Sequence, residues 1–344
     1  MRWFINVSDK ARFLFVVCMA LFIAIVVSHV VAIWTRLPQP RLTCRRVGPE
    51  DGPQVFCLGS SVVQFGLAWP EISEALGQGI EACTLLGSSP AEWESSLSLV
   101  TKANPMLIGV SIIDLNESYL CEFRANFVPI MQTMRDLRQA HSDWQFSKRV
   151  LSQYPLTYFR ILFPTAGKSD RVLVGARRKL LQLARLPPTA DDKANFLVLP
   201  KGGVLNFGYS TVKLSAWPAN KAVRRLAVLR DEIHGVHRFD GPKKIAFLRM
   251  LEHAQQRGRV IVVVMPVAPM YSREFLTAEV VASFENALAE AQRAAPHARF
   301  VRLDQLPALN SDDYYSDFVH LNGAGRQIVT EAFLKQLGTD SRLP

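Results

Sequence analysis

Two serines, Ser60 and Ser61, stop the apolar run "VFCLG", and an aspartate and a histidine, Asp317 and His320, stand three residues apart in "DFVH" near the other end of the chain. A serine hydroxyl becomes a useful nucleophile when a base takes its proton. An imidazole does this best when a carboxylate fixes its tautomer and balances its positive charge. At this spacing the Asp317 carboxylate can face Nδ1 of His320 and leave Nε2 free for Ser61. The chemistry would be acyl transfer through a covalent ester on Ser61. Each motif also has a plainer use, the serines as a helix N-cap and the Asp/His pair as a capping turn. Placement favours the chemical reading, because both motifs fall where strand-like runs end, and open parallel sheets bind ligands beyond the carboxyl ends of their strands.

The elements that must position these residues alternate as apolar runs and helical stretches, the signature of a parallel α/β sheet. Strands are expected at 54–59, 80–87, 106–113, 259–266 and 298–303, and helices at about 62–76, 91–103, 243–257, 273–295 and 323–337. More than a hundred residues separate the third strand from the fourth, far more than a crossover requires. This stretch, about 117–242, reads as an inserted cap with aromatic segments. His141, His234, His237, His253 and His297 read as surface or insertion histidines, and Pro266 and Pro269 as a kink after the fourth strand.

From Phe13 to Trp34 the chain is apolar except for Ser28 and His29. As a helix these residues would span roughly 33 Å, enough to cross a bilayer. The segment reads as a membrane anchor over 13–35, after a short tail 1–12 and before a Pro/Arg-rich linker 36–52. A cleaved signal peptide ending at Ala32 is the alternative. Basic residues flank both sides, so the charge rule does not set the orientation. An N-terminal tail in the cytoplasm with the remainder exported is the common arrangement.

The formal net charge is +10. The basic residues are scattered and lack the interleaved aromatics of a single-strand nucleic-acid channel, so no nucleic-acid partner is expected, and anionic lipid headgroups suit the charge better. Residues 171–186 carry arginines and a lysine between apolar residues at helical spacing, which reads as a solvated basic face on a packed helix. The five cysteines form no CxxC pair and no zinc spacing, so no metal site is expected. In an oxidising compartment Cys44, Cys57, Cys83 and Cys121 could form bridges, which the sequence leaves unassigned, but Cys57 and Cys83, within strand-like runs, read as small core residues. The chain has no GxSxG elbow, GxxxxGK loop or GxGxxG fingerprint.

The "GSS" with Ser61, together with Asp317 and His320 followed by "LNGAG", resembles the SGNH or GDSL hydrolase superfamily. The resemblance implies a flavodoxin-like three-layer sandwich with a five-stranded parallel sheet, here over 53–340, and a Ser61, Asp317, His320 triad without a cofactor. It assigns the oxyanion hole to Gly87 of "LLGSSP" and to an asparagine in a third block. That block reads "GVSIIDLNES" and departs from the family's Gly-x-Asn-Asp. Asn116 is the nearest amide, and Asp114 would repel an oxyanion unless protonated. With the apolar N-terminal segment, the chain is similar to exported acyltransferase-type members that act on cell-envelope polymers, the alginate acetylation and teichoic-acid D-alanylation proteins. The implied function is O-acyl transfer, acetyl being the expected group, to an exported polysaccharide at the outer side of the cytoplasmic membrane. A multi-span membrane-bound O-acyltransferase would be the partner. A membrane-anchored esterase, or a catalytically silent polysaccharide-binding or scaffold domain, are the alternatives.

Overall fold

The structure is a computed structural model, describing residues 7–34, 45–47, 53–84, 88–97, 105–118, 163, 210–233 and 237–338. The chain divides into two compact units, Met1–Arg41 with Leu151–Lys201, and Leu42–Val150 with Gly202–Pro344. In the first, helix α1 runs Val7–Trp34 and contains the apolar stretch Phe13–Val31, long and apolar enough to cross a membrane. Phe13 is 72% exposed and Phe22 61%. Such a surface in water would be costly, at roughly 25 cal/mol per Å² of apolar area.

The second unit is built on a six-stranded sheet. Its strands are β1 (Arg45–Val47), β2 (Pro53–Gly59), β3 (Gly79–Thr84), β4 (Met106–Ser111), β5 (Val260–Met265) and β6 (Arg299–Arg302), in the order β1-β3-β2-β4-β5-β6. Strands β2 to β6 are parallel and are the five expected from sequence, arranged in the flavodoxin-like order. β4 and β5 are buried along their whole length, which is why they read as unbroken apolar runs rather than alternating ones. The sixth strand corrects the expected linker at 36–52: β1 lies within it and pairs antiparallel with β3. Three residues, two of them arginine, carry no strand periodicity, and short charged segments are typical of sheet edges.

The helices are α2 (Ser61–Gly66), α3 (Trp69–Leu76), α4 (Pro90–Ser96), α5 (Ile112–Leu115), α6 (Ala219–Ile233), α7 (Pro242–Gln255), α8 (Pro269–Phe275), α9 (Ala278–Ala294) and α10 (Gly323–Gly338). α4, α7 and α9 pack in one group, and α2, α3 and α10 in another. Right-handed crossovers place such groups on opposite faces of the sheet. Two expected helices are each divided. The first breaks before Trp69, since Pro70 is tolerated only in a first helical turn. In the second, Thr277 starts a new helix by accepting a hydrogen bond from the Val280 N–H. Pro269, expected at a kink, is the first residue of α8.

Most of the expected cap, including 171–186, lies outside the described residues. Its two ends are described, and they are stapled together. The Glu117 N–H donates to Arg238 O at 2.8 Å, and the Asn116 side-chain oxygen accepts from the N–H groups of Ser118 and Arg238 at 3.0 and 3.1 Å. Glu117 Oε1 accepts from the N–H groups of Lys243 and Lys244 at 2.6 and 3.1 Å, capping α7. Lys243 Nζ donates to Asn116 O at 2.8 Å. A Cβ on Gly241 would meet the Glu117 carboxyl carbon at 2.7 Å, so glycine lets the two limbs close.

Candidate active site

The turn after β2 separates the two serines by role. Ser60 is the N-cap of α2, its hydroxyl accepting from the Val62 N–H at 3.2 Å, and Ser61 is the first helical residue. The seat of α2 is set by glycines. A Cβ on Gly59 would meet Val63 Cγ2 at 2.7 Å, and Gly109 on β4 is approached by the same valine. Val63 therefore drops onto two neighbouring strands, and the helix that carries Ser61 lies close against the sheet.

The loop before α10 presents the other groups. Asp317 Oδ1 accepts from the N–H groups of Val319 and His320 at 2.9 and 2.8 Å, so the carboxylate folds its own turn. Its Oδ2 stands 2.8 Å from His320 Nδ1, and His320 Nε2 stands 2.9 Å from Ser61 Oγ. Seen from Asp317, burial pushes its pKa up. The hydrogen bond and charge of His320, with the two backbone N–H groups, outweigh this and hold the carboxyl below its ordinary value. A carboxylate in that state suits Nδ1–H, leaving Nε2 as the acceptor for the Ser61 hydroxyl.

Several bonds brace this loop. Asn322 Nδ2 donates to Asp313 O at 2.6 Å and to Val212 O at 3.2 Å, while its Oδ1 accepts from Gly325 N–H at 3.1 Å at the start of α10. The Ala268 N–H donates to Phe318 O at 3.0 Å, and the Leu214 N–H to Tyr315 O at 2.7 Å. Phe65 of α2 meets the His320 ring edge-on, centroids 5.7 Å apart.

Ser61, Asp317 and His320, widely separated in sequence, thus meet in one cleft, whose empty volume including its open mouth is about 660 Å³. Gly87 lies outside the described residues. Its neighbour Ser88 lines the cleft, with its hydroxyl donating to Gly59 O at 3.3 Å and accepting from the Trp93 indole at 2.7 Å. Asn116 belongs to the staple that joins the chain after β4 to the segment before α7 and is not among the cleft-lining residues. Asp114 lines the cleft in its stead, with Oδ2 accepting from both the N–H and the hydroxyl of Ser111 at 2.8 Å. Burial raises the Asp114 pKa, opposed by the Ser60 and Ser111 hydroxyls, the Ser111 N–H and Lys243.

Other cleft residues were not singled out from sequence. Arg225, Leu229 and Ile233 of α6 line it, and so does Tyr271 of α8. Tyr271 Oη stands 2.8 Å from His237 Nε2. His237, expected as a surface or insertion histidine, lies within the insertion and not at the surface, being 6% exposed, and burial lowers its pKa to about 4. Cys57 and Cys83 are both fully buried in the core, as expected; Cys57 is a free thiol and Cys83 is disulfide-bonded. Among the described residues no group of His, Cys, Asp and Glu has the arrangement of a metal site.

The sequence matches no family model and no curated protein. Among solved structures the chain is similar to one described provisionally as a platelet activating factor from Streptococcus pneumonia. The two are 10% identical over 95% of this chain and 99% of that one, with a TM-score of 0.34. A likeness that distant carries no argument about activity.

Proposed function

We propose that this chain is a membrane-anchored serine acyl-transfer enzyme of the SGNH type, with Ser61 as nucleophile, His320 as base and Asp317 as its orienting carboxylate. The observation that carries the reading is the unbroken line from Asp317 Oδ2 through the imidazole to Ser61 Oγ, with steps of 2.8 and 2.9 Å. In the first half-reaction Ser61 Oγ bonds to the acyl carbon of an ester, its proton passes to His320 Nε2, and the alcohol leaves with that proton. In the second, a hydroxyl of an exported cell-envelope polysaccharide gives its proton to His320 and takes the acyl group, regenerating Ser61. The Ser61 N–H, at the first position of α2, has no intrahelical acceptor and suits an oxyanion, together with the Gly87 N–H that the family resemblance implies.

The apolar surface of α1 supports anchorage in a bilayer, and the disulfide at Cys83 suits an exported domain. A multi-span O-acyltransferase in the same membrane would supply the acyl donor, and anionic lipid headgroups suit the basic chain. Ester hydrolysis is the second reading, favoured by the partial exposure of the His320 side chain, 24%, which leaves water a path to the acyl-enzyme.

The test is to give the purified full-length chain an activated acyl ester and follow Ser61 by mass spectrometry, with and without envelope oligosaccharide. Transfer predicts an acyl-Ser61 ester that water releases slowly and glycan releases much faster as an O-acylated product. Fast release indifferent to glycan would establish the hydrolase. No acyl-Ser61 under any condition, with measurable glycan binding, would overturn both readings in favour of a silent binding domain.

A further inference from the structure

The stripe of α6 that lines the cleft is built as a gradient. Arg225, Leu229 and Ile233 recur at four-residue spacing, so they stand above one another on one face of the helix. Eight residues of helix separate the first from the last by about 12 Å. Along that line Arg225 is exposed, Leu229 is 5% exposed and Ile233 2%. Apolar Ile113 and Phe318, 8% and 1% exposed, line the same cleft. A wall made to hold only a sugar would present hydrogen-bonding groups along its length. This one presents aliphatic carbon at depth and a guanidinium at the mouth, and Ser61 stands in the same cleft.

We infer that α6 selects the substrate, taking esters whose acyl chain is longer than acetyl against Leu229 and Ile233 and whose alcohol part carries an anionic group that Arg225 binds. The inference rests on Ser61 being the acyl-carrying nucleophile and goes beyond the acetyl group that the family resemblance implies. An aliphatic chain gains by leaving water for the deep wall, whereas an acetyl group has too little apolar surface to use it. A guanidinium holds a carboxylate or a phosphate in the same forked geometry, so an acidic sugar and a phosphorylated alcohol share the chemistry that Arg225 reads.

Both halves are tested on the full-length chain in mild detergent, using rate ratios measured within one preparation, which a partly unfolded variant does not distort. For the acyl half, kcat/KM for 4-nitrophenyl butyrate over 4-nitrophenyl acetate is expected to exceed about tenfold, two buried methylenes being enough for that. Ile233→Trp, which fills the deep end, should pull the ratio down to about one. For the anionic half, butyryl esters of glucose, glucuronate and glucose 6-phosphate are compared. The wild type should favour the charged esters over the neutral one by about tenfold, and Arg225→Gln should abolish that preference. Whichever charged ester is favoured tells a carboxylate source from a phosphate source. Acetate equal to or better than butyrate, with acyl-Ser61 still forming, would overturn the inference and leave the proposed function standing. So would an anionic preference that survives Arg225→Gln. If no ester acylates Ser61, the proposed function falls and this inference falls with it.

Discussion

The two ends of the segment between β4 and α7 carry two buried groups, Glu117 and His237, whose titrations oppose each other, and Glu117→Gln should separate them. Burial raises the Glu117 pKa from 4.5 to about 7, against Lys243 and the N–H groups that α7 presents, while burial lowers His237 from 6.5 to about 4. Glu117 holds its proton more tightly folded than unfolded, so its contribution is fully present below pH 4.5 and is lost as the pH rises through 7. His237 holds its proton less tightly folded, so its contribution is present above pH 6.5 and is lost as the pH falls toward 4. Each separation corresponds to about 3 kcal/mol. Between pH 4.5 and 7 the two slopes have opposite signs and similar size, and together they should leave the wild type nearly level.

Glu117→Gln keeps an oxygen to accept from Lys243 and Lys244 but removes the ionisation. The variant should then show the His237 slope alone, its stability rising by about 2 to 3 kcal/mol from pH 4.5 to pH 7 relative to wild type. The assay is urea unfolding of the full-length chain in detergent at half-unit pH steps, read by the fluorescence of Trp69 and Trp93, both fully buried. Taking the difference between variant and wild type at each pH cancels the groups they share. A difference that stays level to within about 0.5 kcal/mol would refute the reasoning, because it would mean that Glu117 titrates alike in the folded and unfolded chain.

Ser61→Ala and His320→Ala should each lower turnover by several orders of magnitude, and the double variant should be hardly worse, since the groups act as one unit. Ser60→Ala removes the cap of α2 and the hydroxyl beside Asp114, costing about 1 kcal/mol of stability with activity retained, and a dead Ser60→Ala beside an active Ser61→Ala would reverse the assignment. Gly109→Ala pushes against Val63 and should lower the urea midpoint by about 1 to 3 kcal/mol in equivalent stability. Alkaline or high-salt washing should leave the chain with the membrane, whereas release by salt alone would exclude a spanning α1.

What was legible in the sequence was local or periodic. β4 and β5 showed as unbroken apolar runs because both faces are covered, and the Asp317/His320 turn showed because its carboxylate bonds within three residues of itself. β1 escaped because three residues held by backbone bonds to β3 carry no pattern. Asn116 was assigned to the oxyanion hole by its nearness in sequence to the third block. Its side chain, however, reaches Arg238, more than a hundred residues on, and no local reading can see a staple closed across such an excursion. The burial of His237 was hidden for the same reason, since its partner Tyr271 comes within 2.8 Å only through the fold. The wall of the cleft did have a readable signal, since Arg225, Leu229 and Ile233 stand at strict helical spacing. A charge followed by two aliphatics matters only once it is known which side of the helix faces Ser61.

Two independent devices therefore bear on the cleft. Ser61 is seated by the packing of Val63 on Gly59 and Gly109, and His320 by the bonds of Asp317 and Asn322, all within the sheet and its last helix. The wall proposed to select the substrate comes instead from α6, in the segment between β4 and β5. Substitutions along α6 can change which ester enters without disturbing the 2.9 Å approach of His320 to Ser61. Substitutions at the glycines or at Asn322 should degrade turnover for every ester alike. That separation is why rate ratios, rather than absolute rates, are the measurements that distinguish the wall from the nucleophile.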